Sequence, residues 1–432
     1  MYTIAIIDAV GLSYDGETLS KRGLGGSESA VIYMSAELVK LGYDVTVYNN
    51  CESPYSSPGV YNGVSFKPLR EVENPEYYEY DIVIGFRSVA AFVPHEERDS
   101  LNAFAHLPDF SPIVDAALHK ILWMQDTFCH GDHLIEQYLN DGVIDEVFTL
   151  SDWHSSYVSH ADHGKKRMSE NFHQKIFQTR NGIKKHIDWV DIKDKDPNLF
   201  VYNASVSKGM APLVEKVWPI VHKAIPQARL KIIGGYYRFN DCDMPDMFEQ
   251  NYLRLKALCG DSIEFTGIIK QSEIANILAK AAYTIFPCAD PETFGISTLE
   301  SIYYNTPVFT CEFAALEETA IDSASYKIRY PVTPNWMVPW IDQDAQAQLF
   351  ADMVIRAYNT PYLHQQKQYA CNAVADICEW DTVALQWHQH FCFTFGKPMS
   401  KALLNKVNRI NQRAHKVFGR RTLNKCELGT IA

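Results

Sequence analysis

The sequence predicts an α/β protein of two Rossmann-like domains, and three observations predict it. Its 432 residues exceed what a single typical core organises. Short apolar runs rich in Ile, Val and Phe alternate with stretches of helical periodicity, the pattern of buried parallel strands joined by helices. That alternation runs through the chain twice, separated by a charged stretch, Lys184 to Asn198, with hinge composition. Domains are expected over residues 1–190 and 197–380, with 381–432 as a closing helix and tail.

Composition narrows the function. A hydrophobic content of 47% with 21% charge is that of a soluble globular protein. No run approaches the roughly 18 apolar residues of a membrane span. A net charge of −12 argues against general nucleic-acid binding. The N-terminus enters a strand directly, so no signal peptide is expected. The ten cysteines form no CxxC pairs, which fits reduced thiols and a cytoplasmic setting.

In chain order, Thr3 to Ala9 is a buried strand. The loop ending Gly25-Gly26-Ser27-Glu28 leads into a helix with Val31, Met34, Leu38 and Leu41 on one face, and Ser27 or a neighbour is its expected cap. Gly25 and Gly26 suit either a plain tight turn or a backbone that comes close to a ligand diphosphate. Strands follow at Asp44 to Asn49 and Asp81 to Phe86. Arg87, just past the second, suits an anionic acceptor and a partner carboxylate equally. The strand Lys120 to Asp126 closes on Gln125 and Asp126. Beyond it His130, Asp132 and His133 lack convincing ligand spacing, so no metal is expected. Glu146 to Ser151 and Ile176 to Ile183 complete the first series, and Arg180 reads as a structural ion-pair residue.

Leu199 to Ser205 opens the second series. Ser205-Val206-Ser207-Lys208-Gly209 then leads into a helix, MAPLVEKVWPIVHKAI. Ala228 to Gly235 ends in Gly-Gly, where backbone again can approach a ligand. Ile263 to Gly267 is followed by Ile268, Ile269 and another helix. The stretch that organises this half begins with the strand AYTIFPC, Ala282 to Cys288. After it, Glu292-Thr293-Phe294-Gly295-Ile296-Ser297 opens a helix that carries Glu300 and closes at Pro307. The amides from Phe294 to Ser297 face outward at a helix N-terminus, which suits a phosphate. Eight residues of helix span about 12 Å, too far for a glycosidase pair. Two carboxylates flanking a diphosphate can instead hold hydroxyls at its two ends; taken alone, they read more simply as surface glutamates.

Tyr326 to Val332 is a short expected strand, and Glu379 to Phe391 a helix on which His388 and His390 face opposite sides. From Lys397 to Lys425 nine basic residues occur with no acid, alongside an apolar stripe from Leu403 to Phe418. The first reading of this tail is a helix packed on the protein's own acidic body or on a second subunit of a homodimer. The second is a basic amphipathic helix on an anionic membrane surface.

The run from Glu292 to Glu300, with seven residues between the glutamates and Pro307 after the helix, resembles the E-x7-E signature of family-4 retaining glycosyltransferases of the GT-B type. The resemblance extends, with weaker motifs in the right order, from about Thr3 to Phe391. It implies two Rossmann-like domains facing across a cleft, the first (1–190) holding the acceptor and the second (197–380) the nucleotide-sugar, with the C-terminal helix crossing back to the first. It also implies a nucleotide-diphosphate sugar donor, UDP- or GDP-linked, an acceptor that the sequence does not name, and no metal. On that resemblance Glu292 meets donor-sugar hydroxyls and Glu300 the ribose. Lys208, Ser205, Ser207 and the run Thr293 to Ser297 meet the diphosphate. Gly25, Gly26 and Gly235 approach the donor, Ile269 lies at the nucleobase, and Gln125 and Asp126 form the catalytic loop. The sequence departs from the pattern twice: Gln125 stands where the family has histidine, and no arginine precedes Lys208. A sugar-nucleotide epimerase, a phosphorylase and a silent nucleotide-sugar-binding protein are the rival readings.

Overall fold

The computed structural model describes residues 2–73, 79–94, 97, 106–127, 129, 131–159, 169–188, 190–234, 247–329, 343–374 and 377–418. The chain forms two compact units, one of residues 1–182 with 379–432, the other of residues 183–378.

The first unit is built on β1 (Thr3–Ile7), β2 (Asp44–Asn49), β3 (Gly59–Tyr61), β4 (Val64–Pro68), β5 (Ile82–Phe86), β6 (His119–Trp123), β7 (Glu146–Thr149) and β8 (Ile176–Gln178). They lie in the order β3-β4-β2-β1-β5-β6-β7-β8. Every neighbouring pair is parallel except the β3–β4 hairpin. That hairpin was not foreseen, although its turn carries Asn62-Gly63, both at positive φ (52° and 80°) and a strong hairpin signal. Helix α1 (Gly26–Lys40) follows β1 and α2 (Asp152–Val158) follows β7. Gly25, not Ser27, is the N-cap of α1, and no side chain caps it.

The second unit carries β9 (Asp196–Tyr202), β10 (Arg229–Ile233), β11 (Ile263–Gly267), β12 (Ala281–Phe286), β13 (Val308–Cys311) and β14 (Ser325–Ile328). The order is β11-β10-β9-β12-β13-β14, all parallel. This is the doubly wound arrangement, in which chain direction across the sheet reverses between β9 and β12. All six residues of β12 are buried, as an apolar run in a sheet covered on both faces demands. Helix α3 (Gln271–Lys280) precedes β12 and α4 (Ile296–Tyr303) follows it. The segment expected as one helix, MAPLVEKVWPIVHKAI, splits into a turn at Met210–Pro212, a π turn at Leu213–Val217 and a helix at Trp218–Ala224. Pro219 has no N–H to continue the ladder, so the preceding turn widens. The expected strand at Tyr326 to Val332 is shorter and shifted, Ser325–Ile328, and 330–332 lie outside the described residues.

Helices α5 (Trp380–Thr394) and α6 (Lys401–Phe418) belong to the first unit. Trp387 is fully buried, its ring edge-on to Trp123 and Phe148 at 4.8 and 4.9 Å. Its indole N–H donates to Thr179 Oγ1 at 2.6 Å, so the apolar ring and its polar edge are both satisfied against β6–β8. His388 and His390 have structural partners on the two sides of α5: the Tyr43 hydroxyl at 2.8 Å and Glu146 at 2.7 Å. On α6, Leu403, Val407 and Ile410 pack with Leu41 and Leu385, so the apolar stripe of the tail is covered by its own unit. No helix of the described residues is long and apolar enough to cross a membrane.

Candidate functional site

In a doubly wound sheet a ligand sits at the carboxyl ends of the strands where the winding reverses. In the second unit this point lies between the loops after β9 and β12, and Lys208 and Glu292 meet there. Lys208 Nζ stands 3.6 Å from Glu292 Oε1 and donates to the Pro291 carbonyl at 3.3 Å. Backbone contact fixes this meeting. The Ala289 amide donates to the Lys208 carbonyl at 3.1 Å. Gly209 takes φ 133°, and a Cβ there would collide with the Pro287 carbonyl, so only glycine lets the two loops lie this close. The Glu292 side chain is 16% exposed and Lys208 is 30% exposed. Nearby Asp290 has its carboxyl pushed up by burial, with Lys208 pulling the other way.

Helix α4 begins immediately behind this pair. Its N-cap is Gly295 in the left-handed region at φ 82°, so no side chain caps the helix, and its first turn holds no acid. A Cβ on Gly295 would sit 2.7 Å from Leu316 Cδ2, which adds crowding to the strain of that φ. The amides at Ile296 and Ser297 therefore open α4 without a carboxylate to neutralise them, the condition for anion binding at a helix N-terminus. Thr293 and Phe294 are buried beneath the turn. Ser205 and Ser207, on the opposite loop, are exposed and hydrogen-bond each other at 2.9 Å.

Glu300 occupies a different environment. It is buried, accepts from Gln271 Nε2 at 2.8 Å, and burial pushes its carboxyl up to about 7. Gln271 opens α3, two residues after Ile269, and was not singled out from sequence. Neither was Asn203, which donates to the Ser297 carbonyl at 3.2 Å and ties the end of β9 to α4. Ile269 packs into the apolar cluster around Leu278, while Ile268, the better core candidate by sequence, is 37% exposed. Gly235 lies outside the described residues; its neighbour Gly234 has φ 103° and donates to the Gly267 carbonyl at 3.0 Å.

The first unit gathers its own set of site candidates, at the ends of β1, β5 and β6. Arg87, at φ 63°, is a left-handed non-glycine residue of the kind that concentrates at functional sites. Its Nε donates to Asp126 Oδ2 at 2.7 Å and its Nη1 to Glu28 Oε1 at 3.1 Å. Burial opposes the charge, but these carboxylates outweigh it and raise the guanidinium's pKa. The carboxylate reading of Arg87 finds its partners in Asp126 and Glu28. Gln125 is buried and exchanges amide hydrogen bonds with Asn181, at 3.0 and 3.3 Å. A Cβ on Gly25 would meet the Glu28 carboxylate, the far end of a flexible side chain that can shift aside. Asp8, buried at the end of β1 and absent from the sequence expectations, is pushed up to about 6 by burial. His130 lies outside the described residues, and no metal-ligating group of three is present among those described.

Comparison with known proteins bears on the fold. Residues 198–356 match the family model described as glycosyl transferases group 1. Sucrose-phosphate synthase from Thermosynechococcus elongatus superposes with a TM-score of 0.63 at 15% identity, over 92% of this chain and 100% of that one. HepE from Anabaena, solved with UDP and glucose, gives 0.58 at 12% identity, over 90% and 99%. WaaG, a glycosyltransferase involved in lipopolysaccharide biosynthesis, gives 0.54 at 12%, over 89% and 98%. No curated protein matches by sequence. The fold is that of the GT-B glycosyltransferases: two Rossmann-like units, each on its own, mainly parallel sheet.

Proposed function

We propose that this chain, whose second unit matches the group 1 glycosyl transferases, is a retaining glycosyltransferase that uses a nucleotide-diphosphate sugar, UDP- or GDP-linked. The observation that carries the reading is the meeting of Lys208 and Glu292 at the uncapped start of α4. A cation and unneutralised amides at one spot suit a departing diphosphate, and the carboxylate beside them suits sugar hydroxyls. In this scheme the acceptor hydroxyl attacks the anomeric carbon on the face that the diphosphate leaves, and a diphosphate oxygen takes its proton. Lys208 and the Phe294–Ser297 amides stabilise the charge that develops on the leaving group. Glu292 orients the sugar and Glu300, held by Gln271, accepts from the ribose hydroxyls. No protein base is required, so the protein's share is positioning and electrostatics. That HepE was solved with UDP and glucose supports a UDP-sugar first.

The buried Gln125–Asn181 amide pair favours a second reading, a nucleotide-sugar-binding protein without turnover, since neither amide can titrate. One experiment separates the two. Wild type, Glu292→Ala and Lys208→Ala are assayed for release of nucleoside diphosphate across a broad panel of acceptors, with circular dichroism as the control for folding. Each substitution is expected to lower turnover by about 10²–10³ with the fold intact. Full activity in either folded variant removes the site assignment, and tight donor binding without turnover in wild type favours the second reading.

A further inference from the structure

Tyr202 is the last residue of β9, the strand from which the Lys208 loop springs, and it is fully buried. A phenol hydroxyl kept from water needs partners in the protein, and Tyr202 has two. It donates to the Ser205 carbonyl at 2.7 Å, and the Met210 amide donates back to its oxygen. Ser205 and Met210 bracket Lys208, so one hydroxyl ties both ends of the loop to the end of the strand. The Ser205 carbonyl is shared. It also accepts the Lys208 amide at 3.0 Å, which closes the single tight turn Val206–Lys208, and both of its lone pairs are then used. From Lys208 the path runs on to the facing loop. The Ala289 amide holds the Lys208 carbonyl at 3.1 Å, and Nζ reaches the Pro291 carbonyl at 3.3 Å and Glu292 at 3.6 Å. The hydroxyls of Ser205 and Ser207 are exposed and bond each other, and no side chain caps the turn.

The chemistry of the hydroxyl says what it does. Burial, and after it the acidic groups of Cys288, Glu292 and Asp290 on the facing loop, push the phenol well above its ordinary 10. It therefore keeps its proton and goes on donating to Ser205. With that proton on one carbonyl and its oxygen on one amide, the group is engaged on both sides, which suits it to holding the loop rather than to touching a ligand or moving a proton. We infer that Tyr202 is a positioning residue of the donor site: its hydroxyl sets the turn that delivers Lys208, and it acts on the bound diphosphate through that lysine. The inference rests on the transferase reading above, which supplies the diphosphate.

A double-mutant cycle on the full chain tests this. Wild type, Tyr202→Phe, Lys208→Ala and the double variant are titrated with UDP, and in parallel with GDP, by calorimetry. Tyr202→Phe keeps the ring and removes the hydroxyl, and it should weaken the nucleoside diphosphate about three- to tenfold. Once Lys208 is already alanine, the same change should weaken it by less than about twofold. A hydroxyl that served the fold alone would cost the same factor in both backgrounds, so equal factors overturn the inference. Wild-type affinity in folded Tyr202→Phe overturns it too. If Tyr202→Phe does not fold, a crystal structure of the wild-type chain with the nucleoside diphosphate decides. The hydroxyl should remain on the Ser205 carbonyl while Lys208 meets a phosphate. A hydroxyl turned to the ligand, or parted from Ser205 with Lys208 still on the phosphate, contradicts the assignment. Failure of both UDP and GDP to bind wild type removes the donor reading and this inference with it, whereas binding with equal factors removes the inference alone.

Discussion

Glu292 and Glu300 sit eight positions apart yet live in different surroundings. Glu292 faces a lysine, whereas Glu300 is buried against a neutral amide, and burial pushes its carboxyl up to about 7. To accept from two ribose hydroxyls with both its oxygens, Glu300 must be ionised. Below about pH 7 the free protein holds it protonated, so donor binding must release that proton. The KM for the donor should therefore rise as pH falls from about 7 to 6, by at most about tenfold per unit. Glu300→Gln should bind donor more weakly and lose that dependence; a flat donor KM for wild type over this range contradicts the assignment. The raised value also means that Glu300 favours folding below its ordinary 4.5 and that this contribution is lost as pH rises through about 7. The residues legible in the sequence were those whose meaning is local: Glu292, Gly295 and Glu300 belong to one loop and one helix. Their supports were not legible. Gln271 is 29 positions from Glu300, Asn203 is 94 from Ser297, and Glu28 is 59 from Arg87. Only the folded sheet brings such pairs together, so a carboxylate partner expected for an arginine at a strand end has no name until the fold supplies it.

At the scale of elements, periodicity placed the strands well because a strand buried on both faces is an apolar run with few alternatives. It failed where local chemistry outweighed it: at the Asn62-Gly63 hairpin, at the π turn before Pro219, and at α1, which Gly25 starts. The joint between α5 and the first sheet depends on ionisation. Glu146, which opens β7, lies 3.2 Å from His119 and 2.7 Å from His390 on α5. Burial opposes its charge, but the two imidazoles outweigh burial and hold the carboxyl at about 2, against an ordinary 4.5. A depressed carboxylate stabilises the fold fully above its unfolded value. That contribution should be lost as pH falls from about 4.5 through 2. Glu146→Gln should cost about 1–3 kcal/mol at pH 7 and flatten the acid limb of stability, measured by urea unfolding at a series of pH values. Parallel acid limbs for variant and wild type would show that the joint carries no such linkage.

On the scale of the whole molecule, each unit is a doubly wound sheet whose chemistry-bearing residues collect where the winding reverses: Asp8 and Arg87 in the first, Lys208 and Glu292 in the second. The fold class was readable because the strand–helix alternation repeats. The fate of the basic tail was not, because an amphipathic helix has the same pattern on a membrane as on a protein. Here α6 covers its apolar stripe against Leu41 and Leu385. Ending the chain after Gly396 should therefore lower stability by about 2–4 kcal/mol through the exposure of Leu41, Leu385 and the lost burial of Val407 and Ile410. Binding to anionic vesicles should be unchanged. An unaltered urea midpoint together with lost vesicle binding would place α6 on the membrane instead. The central claim, that the diphosphate of a donor settles at the start of α4, is tested most directly by a crystal structure of the full chain soaked with UDP. The account predicts phosphate oxygens within about 3 Å of the Ile296 and Ser297 amides and of Lys208 Nζ. Ordered UDP anywhere else, with Lys208 still turned to Glu292, would contradict it.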